Sequence, residues 1–541
     1  MTWIHPLSAE TTENADVLGG KAYGLVVLRR LGLPVPPGFV IGTEACRAFL
    51  RDGRLPDGFD AELSAAIADL EAATRRRIGG PERPLVLAVR SGAGVSMPGM
   101  MSSVLNVGLT TEATAGLATE TGDLRFALDS RLRFLRGLAS TAVPMAPENL
   151  ETVARQAAER AADSEETRLA ETIRGVEALI RERAGRVIPD DATRQLETAV
   201  RAVFSSWNTP RAKTYRDLNG IPHEAGTAVT VQAMVFGNRD DHSGTGVAFS
   251  RNPNTGECTP YGEVLFGRQG DDVVSGSSVT RPLPELAERE PAVWAALLEA
   301  LNRIERHYRD ACHVEFTFEK GELWLLQVRP GGLAGRAAIR TAVDLADNGV
   351  ITRREALLRI SPHHLRHAHT PRIETTDTLL TRGVGACPGV ATGRIATTAD
   401  NAARMAADGP VVLVRPHTSP LDMHGLAAAA GIVTSHGGPT SHAAVVARAM
   451  GKPAVVGAAA LTVNTSAACV RAGGRTLPEG TLVTIDGTSG EVVVGTPPIV
   501  TAPTDSHLHR LLEWADELSN ADSTGSAPER LKAAHAILMN T

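Results

Sequence analysis

The chain has 541 residues, 43% hydrophobic and 4% aromatic, a length that spans roughly two to four domains with ordinary cores. Its formal net charge is −6 and it has no basic block, which argues against nucleic acid as a partner. Its five cysteines lie far apart, no apolar run reaches transmembrane length, and the N-terminus lacks a basic segment followed by an apolar one, so the expectation is a cytoplasmic protein with reduced thiols and no membrane anchor.

Residues 19–41, GGKAYGLVVLRRLGLPVPPGFVI, predict a glycine turn, a short amphipathic helix and a proline-bounded strand. Lys21 stands where turn becomes helix, a usual place for a phosphate-directed cation, although a surface lysine fits the same letters. Residues 85–108, LVLAVRSGAGVSMPGMMSSVLNVG, predict a buried strand that delivers Arg90 to its end. A loop with Gly92, Gly94 and Gly99 follows, then the hydroxyls of Ser102 and Ser103. Glycines let backbone N–H groups close around phosphate oxygens, and an arginine at the strand end can clamp them. Residues 112–206, rich in Ala, Arg, Glu and Leu, read as several helices; Arg133 there is a candidate phosphate contact, with a solvated face as the plainer reading.

The stretch 228–236 is nearly all apolar, as a central strand requires. Residues 313–330, HVEFTFEKGELWLLQVRP, predict a hairpin. With Lys320–Gly321–Glu322 as a three-residue loop, Val314, Phe316 and Phe318 lie opposite Val328, Leu326 and Trp324 on one apolar face. The other face then sets Glu315 across from Gln327, with Arg329 next. Two oxygen donors on adjacent strands suit Mg²⁺; an amphipathic hairpin with a solvated face fits the pattern equally well. Four histidines in 361–371 allow a metal site, but no carboxylate or cysteine joins them, and a flexible connection fits better.

Residues 437–457, GGPTSHAAVVARAMGKPAVVG, predict a glycine turn, a cap at Thr440 or Ser441, and a small apolar helix that starts at His442 and ends at Gly451. A histidine in the first helical turn sits near the positive end of the dipole and near unpaired backbone N–H groups. That environment disfavours imidazolium, keeps a nitrogen nucleophilic, and would stabilise a phosphate attached to it. A helix-capping histidine in a packed core is the alternative.

These strings together resemble the phosphoenolpyruvate-utilising enzymes, the family of the pyruvate phosphate dikinases, over about residues 15–540. The resemblance implies an α+β and α/β multidomain fold, an ATP-grasp domain joined to a swivelling β/α phosphohistidine domain. The expected boundaries are 1–340 for the ATP domain with its helical insert at about 112–206, 341–382 for a linker, 383–500 for the histidine domain, and 501–541 for a tail similar to the opening of the family's C-terminal barrel. The rest of that barrel, which would bind pyruvate or phosphoenolpyruvate, is not in this sequence. The resemblance also implies the site. His442 would accept phosphate from ATP; Arg90 and Arg329 would assist. Lys21, Arg90, Gly99, Ser103, Gln232, Met234, Val235, Glu263, Glu315, Gln327 and Arg329 would bind the nucleotide, with Glu315 and Gln327 also holding Mg²⁺. Gln269 and Asp271 match polar positions near the nucleotide; Thr418, Ser419, Asp422 and Met423 match a family loop. Three departures stand out: Ser102 and His313 where the family has Asp, and His436 where many relatives have Arg. The function implied is an ATP-dependent phosphotransferase that releases AMP, with inorganic phosphate or water taking the γ-phosphate and the second acceptor on a separate barrel-type subunit or a different small molecule. A nucleotide-sensing or phosphocarrier protein without turnover is the alternative.

Overall fold

A computed structural model describes residues 2–95, 97, 100–142, 147–160, 164–184, 188–270, 272, 280–333, 335–366, 371–374, 378–501, 506–520 and 524–540. They fall into two compact units, Met1–Asp241 with Trp324–Val328, and His242–Leu323 with Arg329–Thr541.

In the first unit an antiparallel sheet carries the expected phosphate-loop segments. Its strands are β1 Ile4–Pro6, β2 Gly38–Ile41, β3 Leu87–Gly92, β4 Ser103–Val107 and β5 Ala228–Ala233, in the order β1-β2-β5-β3-β4. The apolar run around 228–236 is central, as its composition requires, and pairs on both edges. Helix α1, Ala15–Arg30, begins under an Asn14 side-chain cap and is broken at Gly19, whose φ of 74° leaves the helical region. A Cβ there would lie 1.8 Å from the Gly92 carbonyl oxygen, so glycine is what lets the start of α1 meet the end of β3. The insert forms helices Thr111–Thr121, Leu124–Ala142, Pro147–Arg160, Glu165–Ala184 and Ala192–Ser206, as expected from its composition. They share a core with the sheet through Leu135, Val176, Val200, Val89 and Val231.

The second unit opens with four neighbouring strands of another, five-stranded sheet, β6 Gly244–Phe249, β7 Tyr261–Phe266, β8 Arg281–Pro282 and β9 Cys312–Glu319, antiparallel and in the order β8-β7-β6-β9. The division between units runs inside the span expected as one ATP domain because that span holds two separate sheets.

Strand β10, Glu322–Pro330, follows β9 through Lys320–Gly321 alone. Both turn residues have positive φ, 53° and 76°, so this is the tight two-residue turn whose twist matches the strands, one residue shorter than the sequence predicts. Burial follows the shorter loop. Leu323 and Leu325 are buried while Trp324 and Leu326 are half-buried, the reverse of the expected phase. Gln327 and Val328 are both buried, which breaks the alternation near the end of the strand. A direct pairing of Glu315 with Gln327 therefore does not follow from the loop.

The rest of the second unit is an eight-stranded mixed sheet: β11 Leu379–Arg382, β12 Val384–Cys387, β13 Val390–Ala396, β14 Val411–Arg415, β15 Gly431–Thr434, β16 Ala454–Val456, β17 Leu482–Asp486 and β18 Glu491–Val494, ordered β11-β18-β17-β13-β14-β15-β16-β12. Strands β13 to β16 run parallel at its centre, and the helix His442–Met450 crosses from β15 to β16. Its Ala443, Ala444, Val446 and Ala447 are buried against Ile432, Ala454 and Val456, the close approach that small side chains permit.

The segment predicted as a linker is largely helical, and so is the described part of the tail. Helices Gly335–Asp347, Arg353–Arg359, Ser506–Ser519 and Ala527–Asn540 share one core built on Ile339, Leu345, Leu357, Leu511, Trp514, Leu531 and Leu538. Of the four histidines in 361–371, His367 and His369 lie outside the described residues.

Candidate functional site

His442 is the first residue of its helix, as predicted, with Ser441 as N-cap and Gly451 (φ 64°) as the stop. Ser441 makes no side-chain cap bond, so the first turn of backbone N–H groups is left to other acceptors. Because the helix is a parallel-strand crossover, the imidazole stands at the carboxyl end of β15, where open α/β sheets bind their ligands. Its Nδ1 lies 3.1 Å from Thr418 Oγ1. Its Nε2 is buried and, among the described residues, has no hydrogen-bond partner; Ser441 Oγ beside it is in the same condition. Burial pulls the imidazole pKa below its ordinary value, with the Asp422 carboxylate opposing. In the tautomer that donates Nδ1–H to Thr418, the neutral ring presents a lone pair at Nε2.

The family-like loop 418–423 holds Thr418 in place. Ser419 and Asp422 form a capping box around a single helical turn, and Arg415 lies 3.3 Å from Asp422. His436 is exposed, its Nδ1 3.2 Å from the Pro416 carbonyl oxygen.

On the other side of the histidine turn stands Glu263 of β7. Its Oε1 accepts from the Thr440 amide at 2.8 Å and from Thr440 Oγ1 at 3.1 Å, and its Oε2 accepts from Thr280 Oγ1. The residue is 3% exposed, and burial pushes its carboxyl up while these bonds and Arg448 pull it down. Arg448, one helical turn and a half beyond His442, donates to the carbonyls of Pro439 and Ala386 and lies over the Phe249 ring. The family resemblance implies a nucleotide role for Glu263, and the sequence predicts only a capping role for Thr440; no local signal joins residues 177 positions apart. Arg448 is a further site residue that the sequence reading does not include. An arginine inside an otherwise small, apolar helix was the available sign.

Within the first unit, Lys21 and Gly92 adjoin: a Cβ on Gly92 would touch the Lys21 Cβ at 3.4 Å, and the Gly20 amide donates to the Ala93 carbonyl. Arg90 pairs with Ser103 across β3 and β4, and its Nη1 donates to the Leu326 carbonyl oxygen, next to Gln327. Gln232, 2% exposed, donates to the Pro36 carbonyl. Met234 and Val235 follow β5 and are half-buried. Ser102 uses its amide on Ser206 Oγ. Arg133 pairs with Asp129 one turn earlier. Gly99 and Asp271 lie outside the described residues.

In the second unit Glu315 sits opposite Val247 on β9, half-buried, and the Gln269 amide donates to Asp272 Oδ2. His313 pairs with Phe249, their ring centroids 5.1 Å apart. Burial, and then the charge of Arg329, bring its pKa to about 4, against the pull of Glu315. A neutral imidazole therefore stands where the family resemblance expects a carboxylate. The residues expected at the site thus divide between the units: Lys21, Arg90, Ser103, Gln232, Met234, Val235 and Gln327 in the first, Glu263, Glu315, Arg329 and His442 in the second.

The AMP/ATP-binding domain of pyruvate phosphate dikinase matches residues 15–77 and 55–282, and the mobile domain of PEP-utilising enzymes matches 407–490. The pyruvate, phosphate dikinase of Rhizobium meliloti (strain 1021) is 41% identical over 539 residues, covering 95% of this chain and 60% of that protein. Pyruvate, phosphate dikinase 2 of Zea mays is 42% identical over 529 residues with the same coverage, and the chloroplastic Arabidopsis thaliana protein is 39% identical, with 55% of its length covered. The chain therefore spans somewhat over half the length of the relatives it matches. Among the described residues no helix is long and apolar enough to cross a membrane. An ATP-binding domain, a PEP-utiliser mobile domain and similarity along nearly its whole length place the chain in the pyruvate phosphate dikinase family.

Proposed function

We propose that the chain is an ATP-dependent, dikinase-type phosphotransferase, an ATP-grasp module with a swivelling histidine domain, in which His442 carries phosphate from ATP to an acceptor. The observation that supports it best is the His442 ring, held at Nδ1 by Thr418 with a buried, unpartnered Nε2 at a helix N-terminus. The Nε2 lone pair attacks the β-phosphorus of ATP, the bond from that phosphorus to the oxygen shared with the α-phosphate breaks, and AMP leaves with the electron pair. The terminal phosphoryl then passes to inorganic phosphate or water, and one phosphoryl remains on Nε2. The N–H groups of the first helical turn favour that anion. Lys21, Arg90 and Arg329 would neutralise phosphate charge. Glu315 and Gln327 would hold Mg²⁺: a carboxylate and an amide oxygen are the hard donors this ion takes alongside phosphate oxygens, and when bound it would offset phosphate charge.

Swivelling of the histidine domain would bring His442 to a second site, because one side chain must visit donor and acceptor. The acceptor is pyruvate on a separate barrel-type subunit, or another small molecule, and the setting is the cytoplasm. The test is incubation with Mg²⁺ and β-labelled ATP, with and without phosphate, for wild type and His442→Ala. Acid-labile label on the wild type alone, with AMP formed, is the expected result; ATP binding without label or AMP would sink the enzyme reading for this chain alone.

One observation favours a second reading, a sensor or phosphocarrier without turnover. His313 puts a neutral ring where the family resemblance expects an acid. A catalyst releases AMP repeatedly, a carrier at most one equivalent, a sensor none.

A further inference from the structure

The turn Gly437–Thr440 wraps the Glu263 carboxylate. Gly438 has no positive φ, so its backbone does not demand glycine. Space does: a Cβ there would lie 1.9 Å from Glu263 Oε2 and 2.4 Å from Oε1. Thr440 bonds the same carboxylate through both its amide and its hydroxyl. From behind, Arg448 ties the turn to the histidine helix by donating to the Pro439 carbonyl. The carboxylate belongs to a strand of the β6–β9 sheet, and the turn to the mixed sheet's crossover helix.

We propose that Glu263 is a positioning residue, the receptor that docks the turn before His442 onto the β6–β9 sheet and thereby sets where the histidine stands for transfer from ATP. The docking itself is read from geometry; its effect on phosphoryl transfer rests on the proposed function. The bonds suit a contact that forms and breaks. The turn contributes two hydrogen bonds to the carboxylate, with no direct ion pair among the described residues, and Thr280 retains the other oxygen when the turn leaves.

The experiment combines amide hydrogen exchange at Thr440 with the rate of acid-labile labelling of His442, in wild type, Glu263→Gln, Glu263→Ala, Gly438→Ala and the Glu263→Ala/Gly438→Ala double variant. Glu263→Ala and Gly438→Ala are each expected to speed exchange of the Thr440 amide roughly tenfold, the equivalent of one good hydrogen bond. Gly438→Ala should lower the labelling rate while leaving ATP affinity unchanged, since it alters only the histidine side. Glu263→Gln keeps an oxygen facing the Thr440 amide and should restore most of the protection. The double variant should be no worse than either single one, because the added methyl then meets no carboxylate. Unchanged Thr440 exchange in Glu263→Ala, or fully additive losses in the double variant, would overturn the proposal. A wild type that never labels His442 would refute the proposed function, while the exchange data would still decide the docking.

Discussion

Thr418 Oγ1 and His442 Nδ1 stand 3.1 Å apart, joining the end of β14 to the start of the crossover helix that follows β15. When the hydroxyl accepts from Nδ1–H, this contact leaves Nε2 as the unprotonated ring nitrogen, the one the proposed transfer uses. Thr418→Val keeps the side-chain shape and removes the hydroxyl, so the ring loses its orientation and its fixed tautomer. One neutral hydrogen bond is worth about 1 kcal/mol, so the labelling rate of His442 should fall about five- to tenfold with ATP affinity unchanged. Thr418→Ser should retain most of the rate. Equal rates for Val and wild type would remove Thr418 from the mechanism.

The pH dependence follows from the sign of the His442 shift. Burial lowers the imidazole pKa, so the nucleophilic neutral form persists below the ordinary value of 6.5, and the labelling rate should be flat through neutrality. The acid limb should lie below that value. Asp422 opposes the shift, so Asp422→Asn should move the limb to still lower pH. The same sign applies to stability: the fold prefers neutral His442, and this contribution is complete above the ordinary value and lost as pH falls through the lowered one. An acid limb at or above 6.5, or an upward move in Asp422→Asn, would contradict this account.

His313 offers a test between catalyst and sensor. The ring lies against Phe249 in a setting that keeps it uncharged at neutral pH. His313→Asp would put a carboxylate near the charge of Arg329 and add a hard oxygen donor two residues before Glu315. Better hold on Mg²⁺ should raise AMP release about tenfold, which is about 1.4 kcal/mol of barrier. Measured as AMP formed against Mg²⁺ concentration, a rise of that kind supports an enzyme slowed at this position. No AMP from either protein favours the sensor.

Local pattern carried the sequence reading where it succeeded. The start and stop of the His442 helix, the central strand around 228–236 and the helical insert each follow from a cap, a glycine or a run of one residue class within a few positions. The hairpin shows where such reasoning ends. Lys320 adopts a left-handed conformation that a lysine does not advertise, and one residue less in the loop reversed the apolar phase of Leu323 to Leu326. The partner of Thr440 was not legible for a different reason. Glu263 is brought to it by tertiary packing, and a buried carboxylate taken up by a distant amide leaves no periodicity in the chain. The helical core shared by 335–359 and 506–540 is not legible for the same reason, since it joins segments far apart in the chain.

That shared core makes the last prediction. Trp514 is 5% exposed, packed among Ile339, Leu511 and Leu531, with the guanidinium groups of Arg353 and Arg510 lying 5.2 Å and 5.6 Å from its ring centroid. If residues 501–541 were only a loose tail, truncating this ring would change little. Because the ring joins the 506–519 helix to the helices at 335–347 and 353–359, Trp514→Ala should leave a cavity and cost about 3–5 kcal/mol. Met539→Ala, at a side chain 77% exposed, should cost almost nothing and serves as the control. Urea unfolding followed by circular dichroism measures both. A Trp514→Ala midpoint close to that of Met539→Ala would show that the 506–540 helices add little to the stability of the fold, whereas a large difference makes these residues part of the folded body.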